Sequence, residues 1–210
     1  MKARIITAVL AASALLFTAE VNAQTIDKAA QDKAVKEAKA EAKQLEKEGY
    51  KVPVGKNAMT EQFEESAKAS AATDADGAPY YFMARATATG ASYPAASMSA
   101  SNAAKTDMAV QVQKHISAIL DNRVKKNATT ADNAAAVKSF VNASKSVINN
   151  SLGSAVKYVE IYRTLDNGST EAMVTIGLDK RTAVEAAVKA MKKTLDEDAE
   201  DLIKELDGIL

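Results

Sequence analysis

From Tyr80 to Thr89 polar and apolar positions alternate, with Phe82, Ala84, Ala86 and Ala88 on one side and Tyr81, Met83, Arg85 and Thr87 on the other. A period of two is the signature of a strand. Gly90 to Pro94 turns the chain, and the period then changes. Met108, Val112, Ile116, Ile119/Leu120 and Val124 recur at three and four, which predicts one long helix over about 96–126. Thr129/Thr130 restart a second helix reaching about Leu152, with Val137, Phe140/Val141, Ser144 and Val147/Ile148 on its inner face and Gly153 as its stop.

Two β-rich runs follow, Tyr158–Leu165 and Glu171–Leu178, separated by Asp166-Asn167-Gly168-Ser169. Asn-Gly between alternating strands predicts a hairpin, since both residues tolerate positive φ. Val159, Ile161 and Leu165 are expected to face the core from the first strand, and Ala172, Val174, Ile176 and Leu178 from the second. Thr182 with Glu185 reads as a capping box. The helix it opens carries Val184, Val188, Met191 and Leu195 and continues through Leu202 and Leu206 to Gly208.

Upstream, 25–48 alternates charges with alanines. Thr25 can cap it, Asp27 sits in its first turn and Gly49 ends it; Ala34/Val35, Ala38, Ala42 and Leu45 form one narrow apolar stripe. Residues 50–58 read as a loop, 60–71 as a short helix around Phe63, and 73–79 as a break. The order strand, helix, helix, hairpin, helix predicts an α+β fold: a small antiparallel sheet of about three strands packed on one face by long helices, with an extra N-terminal helix. The expected divisions are 1–23 as a signal peptide, 24–78 as a charged helix and linker, and 79–210 as the α+β domain.

The signal peptide rests on Lys2 and Arg4, the apolar run Ile5–Phe17, and the small residues of Val21-Asn22-Ala23 before Gln24. The apolar run is shorter than the roughly 20 residues a spanning helix needs. The expectation is therefore export, cleavage near Ala23–Gln24, no span after cleavage, and residence in the periplasm or at the outer membrane. Composition sharpens this. There is no Cys, so no lipid-attachment cysteine follows the signal, and total absence suits a bacterial export substrate more than a disulfide-rich secreted chain. The 27 basic and 27 acidic residues balance, which argues against nucleic acid as a main partner. Only 5% of residues are aromatic and none is Trp, so the core is expected to be rich in alanine.

Candidate chemistry is sparse. The one histidine, His115, shares a helix face with Met108, Val112 and Ile119 and reads as a partly buried helix residue, because zinc would require further nitrogen or sulfur ligands. No Gly-X-Ser-X-Gly elbow surrounds any serine. Asp74-Ala-Asp76-Gly77 lacks the third acidic ligand and the later Glu of a calcium loop, and reads as a solvated turn. Asp196, Glu197, Asp198, Glu200 and Asp201 read as the exposed side of the last helix. No catalytic residue, metal ligand or cofactor is assigned. Tyr158 and Tyr162, with Glu160 between them, share the hairpin face opposite Val159 and Ile161. They form either an interaction surface or a face covered by the N-terminal helical segment.

Ala84-Arg-Ala-Thr-Ala-Thr-Gly90, the helix after it with Ala103-Ala104 and Ile116-Ser-Ala-Ile119, and the strand Tyr158-Val-Glu-Ile-Tyr-Arg163 together resemble the small exported proteins typified by flagellar-accessory FlgP and the N-terminal domain of FlgT. With Glu48-Gly-Tyr-Lys-Val-Pro53 the chain is similar to a family of signal-peptide-bearing Bacteroidales proteins. The resemblance spans about 40–193. It implies helices packed on a small antiparallel sheet, and an envelope or assembly role in place of catalysis. It carries no functional residue across, and fold does not fix function. The functional expectation is a non-enzymatic envelope protein acting through a protein partner or self-association; the alternative is a small-ligand binding module with a pocket between the sheet and the long helices.

Overall fold

The computed structural model describes residues 27–195 and 199–210. The expected signal peptide, its cleavage point, Thr25, and Asp196, Glu197 and Asp198 lie outside them. The elements are α1 (Lys28–Lys47), α2 (Met59–Ala71), β1 (Tyr81–Gly90), α3 (Tyr93–Lys125), α4 (Ala131–Ala143), α5 (Lys145–Ser151), β2 (Val156–Thr164), β3 (Thr170–Asp179), α6 (Lys180–Lys192) and α7 (Glu200–Asp207). The α+β class expected from the sequence is observed. The strands form one antiparallel sheet in the order β1-β3-β2.

Alternation along each strand sends its side chains to two faces. Phe82 and Ala84 of β1 and Val174, Ile176 and Leu178 of β3 join Met108, Val112, Ile116 and Leu120 of α3, with α4, α5 and α6 closing the layer. Gly90 sets the strand-to-helix corner. A Cβ there would sit 2.7 Å from the Ala96 backbone nitrogen, which cannot move aside as a flexible side chain would.

The sheet is covered on both faces, where the sequence suggested one. A second core joins Ala38, Ala42 and Leu45 of α1, Met59 and Phe63 of α2, Tyr50, and Val159 and Ile161 of β2. Val159 and Ile161 are fully buried, as expected of core positions, but beneath α1 and α2, away from Val174 and Ile176. The registers explain this: Val159 pairs with Thr175 and Ile161 with Met173, whereas Glu160 pairs with Val174 and Tyr162 with Ala172. Leu165 is only half-buried, in the turn. Within the stretch 24–78, expected as a charged helix and linker, α1 and the short helix expected around Phe63 close the sheet's second face.

Local chemistry moves several element ends. Asp27 is the N-cap of α1, its carboxylate accepting from the Ala29 amide at 3.0 Å. The helix expected from Thr129/Thr130 to Leu152 does start at Thr130, whose hydroxyl accepts from the Asn133 amide. It breaks at Ser144, where Gln113 Nε2 of α3 donates to the carbonyls of Val141 at 2.9 Å and Asn142 at 3.3 Å. The Thr182/Glu185 capping box does not form. β3 runs straight into α6, so Asp179 is the cap and accepts from the Thr182 amide at 2.7 Å, while Glu185 lies 3.6 Å from Arg181. The last helix is also two pieces, α6 and α7.

The hairpin uses a different turn from the Asn-Gly pair expected. Gly168 has φ +80° while Asn167 does not enter the positive region. The Gly168 amide donates to Leu165 O at 2.9 Å and the Leu165 amide to Ser169 O at 2.8 Å. This is a three-residue loop, a turn followed by a left-handed glycine. Asn167 Oδ1 braces it by accepting from the Ser169 amide and hydroxyl.

Candidate functional site

Tyr158 and Tyr162 do not share a face. The register slips between Lys157 and Val159, so Tyr158 is the extra residue of a bulge, which turns its side chain toward the α1/α2 side. Its ring lies over Gly177, where a Cβ would come within 2.7 Å of Tyr158 Cε2 and 2.5 Å of Met83 Sδ. It packs against the second core, and burial pushes its phenol pKa up. Tyr162 lies on the α3 side with its ring centroid 4.7 Å from that of Tyr93. Of the two expectations for this pair, an outward interaction surface or cover by the N-terminal helical segment, Tyr158 follows the second, while Tyr162 packs on Tyr93.

Between them, Glu160 is buried at 6% exposure. It accepts from Ser97 Oγ and, at 2.9 Å, from Lys157 Nζ, with Lys56 Nζ at 3.5 Å. Burial alone would raise its pKa, but donation by Ser97, Lys157 and Tyr93 outweighs that and holds the carboxyl at about 2. In turn, burial and Glu160 push the Tyr93 phenol up to about 12. A second polar tie lies nearby. Tyr50 Oη and Arg163 Nε both donate to Glu171 Oε1, at 2.6 and 2.7 Å, and the guanidinium sits 4.7 Å over the Tyr50 ring. The first ties the start of α3, and through Lys56 the N-terminal region, to β2; the second ties Tyr50 of the N-terminal region to the sheet.

The two sheet edges are treated differently. On β2, Tyr162 exchanges both backbone hydrogen bonds with Lys51, at 2.7 and 2.9 Å, and the Glu160 amide donates to Gln62 Oε1 at 2.8 Å. That edge is sealed by the N-terminal region. On β1, the Lys180 amide donates to Tyr80 O, so even-numbered residues face β3 and odd-numbered ones face outward. The Met83 carbonyl accordingly accepts from Gln111 Nε2 at 2.8 Å. Beyond it Arg85, Thr87 and Thr89 are exposed, and their outward main-chain groups meet no partner among the described residues. Arg85 Nε donates to Thr175 Oγ1 at 3.0 Å and its guanidinium meets Glu41, so the side chain folds back over the sheet and leaves the edge open.

His115 lines an open cleft of about 370 Å³ together with Tyr80, Ile119, Asp179, Lys180 and Val184. Its ring meets Phe82 edge-on at 5.5 Å. Burial, then the Lys180 charge, lower its pKa, against a smaller opposing effect of Asp74. The half-buried helix position expected for it is observed. Asp74 turns inward on its own loop, Oδ1 accepting from the Asp76 and Ala78 amides at 3.1 and 2.8 Å. Among the described residues no group of three or more His, Cys, Asp or Glu is arranged to hold a metal, and no helix is long and apolar enough to cross a membrane.

No protein-family model, no curated protein and no solved structure matches the chain.

Proposed function

We propose that this chain is an exported, non-enzymatic protein of the cell envelope that acts through protein contacts, and that the open edge of β1 is where it makes them. The observation that carries the reading is the contrast between the edges. Natural sheets blunt free edges because unpaired N–H and C=O groups template pairing with another chain. Here one edge is sealed twice, by Lys51 and Gln62, while Arg85–Thr89 keeps neither a plug nor a proline. An extended partner strand fits such an edge. The apolar run after Lys2 and Arg4 supports export, and the sequence has no Cys for lipid attachment.

Fractionation of the native cell, with mass spectrometry of the N-terminus and a photo-crosslinker at Thr89, tests this. The expected product is a chain beginning near Gln24 in the envelope fraction, linked to a protein. An uncleaved chain in the cytosol with no crosslinked protein overturns the reading.

The His115 cleft favours a second reading, a small-ligand binding module, because its size falls within that of ligand sites and it pairs apolar walls with a few polar groups. A thermal-shift screen separates the two. A ligand whose stabilisation disappears in Val184→Trp supports the cleft; stabilisation that survives that change excludes it.

A further inference from the structure

The partner strand has a chemistry that the edge itself specifies. α3 packs mainly against β1 and β3. Its first turns abut Gly90 of β1 and reach β2 through side chains, Tyr93 meeting Tyr162 and Ser97 meeting Glu160. Four turns later it reaches the outer edge of β1, where Gln111 takes the Met83 carbonyl. The outward groups of β1 are therefore closed at Met83 by α3 and end at Gly90 in the turn. Between them stand Arg85, Thr87 and Thr89, with Thr87 at the midpoint.

We infer, resting on the proposed contact role, that the occupant is a second copy of this chain, its β1 pairing antiparallel with the first about a two-fold axis through Thr87. A two-fold contact requires a self-complementary patch, and an axis at Thr87 uses the whole open window, Arg85 to Thr89, of both copies. In that register Thr87 faces its own copy and Arg85 faces the partner's Thr89, each pair exchanging two backbone hydrogen bonds. The threonine pair is favourable and no like charges oppose. Centring on Arg85 would set two guanidinium groups against each other. The Gln111 plug at Met83 lies outside the paired window, because in this register Met83 falls opposite Ala91, past the end of the partner's strand. The half-buried Ala86 and Ala88 become covered, and the two sheets join into one.

The absence of cysteine makes a clean test. In a hydrogen-bonded antiparallel pair the Cα atoms lie about 5.5 Å apart, within the span of a disulfide. Thr87→Cys in the mature chain, under mild oxidation, is expected to form covalent dimer at least about tenfold faster than Asn167→Cys at the exposed hairpin tip, because pairing raises the effective thiol concentration. Sedimentation of the wild-type chain is expected to show a concentration-dependent dimer. Thr87→Pro, whose lost N–H points away from β3, is expected to fold and to weaken association about tenfold or more. If the proline variant does not fold, Thr87→Lys sets like charges together and is expected to weaken association by a similar factor. Equal oxidation rates for the two cysteine variants, or a wild-type monomer at all concentrations, overturn the inference. A photo-crosslinker at Thr87 in cells separates it from the wider reading. Capture of a different protein sinks the second copy and keeps the contact role; capture of nothing sinks both.

Discussion

Glu160 shows how a single residue couples the fold to pH. Its carboxyl is depressed from 4.5 to about 2 in the folded chain. A depressed acid stabilises the fold fully above its unfolded pKa, and that contribution fades as pH falls through the folded value. A shift of this size corresponds to about 3 kcal/mol. Glu160→Gln should therefore unfold in roughly that much less denaturant energy at pH 7, and the gap to wild type should close between pH 4.5 and 2; chemical denaturation across pH measures it. Gly177 gives a second case at this scale. Gly177→Ala drives a methyl into Tyr158 and Met83 and should cost about 1–3 kcal/mol, whereas Gly153→Ala, with open space around its Cβ, should cost less. The tyrosine faces were not legible in the sequence. Counting by twos from Val159 sends Tyr158 outward, and only the bulge at Lys157/Val159 turns it inward over a glycine that offers it room.

Elements were legible where pattern alone decides them. β1, α3, the hairpin strands and the apolar stripe Ala38, Ala42, Leu45 of α1 all follow from spacing. Ends were less so, because partners distant in sequence set them. Gln113 breaks the helix at Ser144 from another element, and nothing in the run 129–152 announces it. Asp179 outcompetes Thr182 as a cap because β3 and α6 abut, a fact of topology. Burial would raise the Asp179 carboxyl, but the Thr182 amide outweighs that and holds it below its usual value. Asp179→Ala should cost about 1 kcal/mol for the lost cap. Thr182→Ala should cost less than the Asp179 change. Paired thermal melts decide the order, and a larger loss at Thr182 would contradict the assigned cap.

At the scale of the molecule, the sequence was read as one core under one face, and the chain builds two. The reason is physical: β2 buries odd positions under α1 and α2 while β3 buries even ones under α3, so a shared hairpin serves both layers. The N-terminal helices thereby become part of the fold, and Lys51 and Gln62 become the seal on one edge. The other edge, at Arg85–Thr89, had no signature in the sequence, since strand order decides which strand lies outside. The functional proposal rests on that asymmetry.

Amide hydrogen exchange on the mature chain, in dilute and in concentrated solution, tests it most directly. The account predicts slow exchange at Glu160 and Tyr162 in both, and fast exchange at Arg85, Thr87 and Thr89 in dilute solution that slows on concentration. Protection at Arg85, Thr87 and Thr89 equal to that at Tyr162 in dilute solution would contradict it, as would exchange at Glu160 and Tyr162 as fast as theirs.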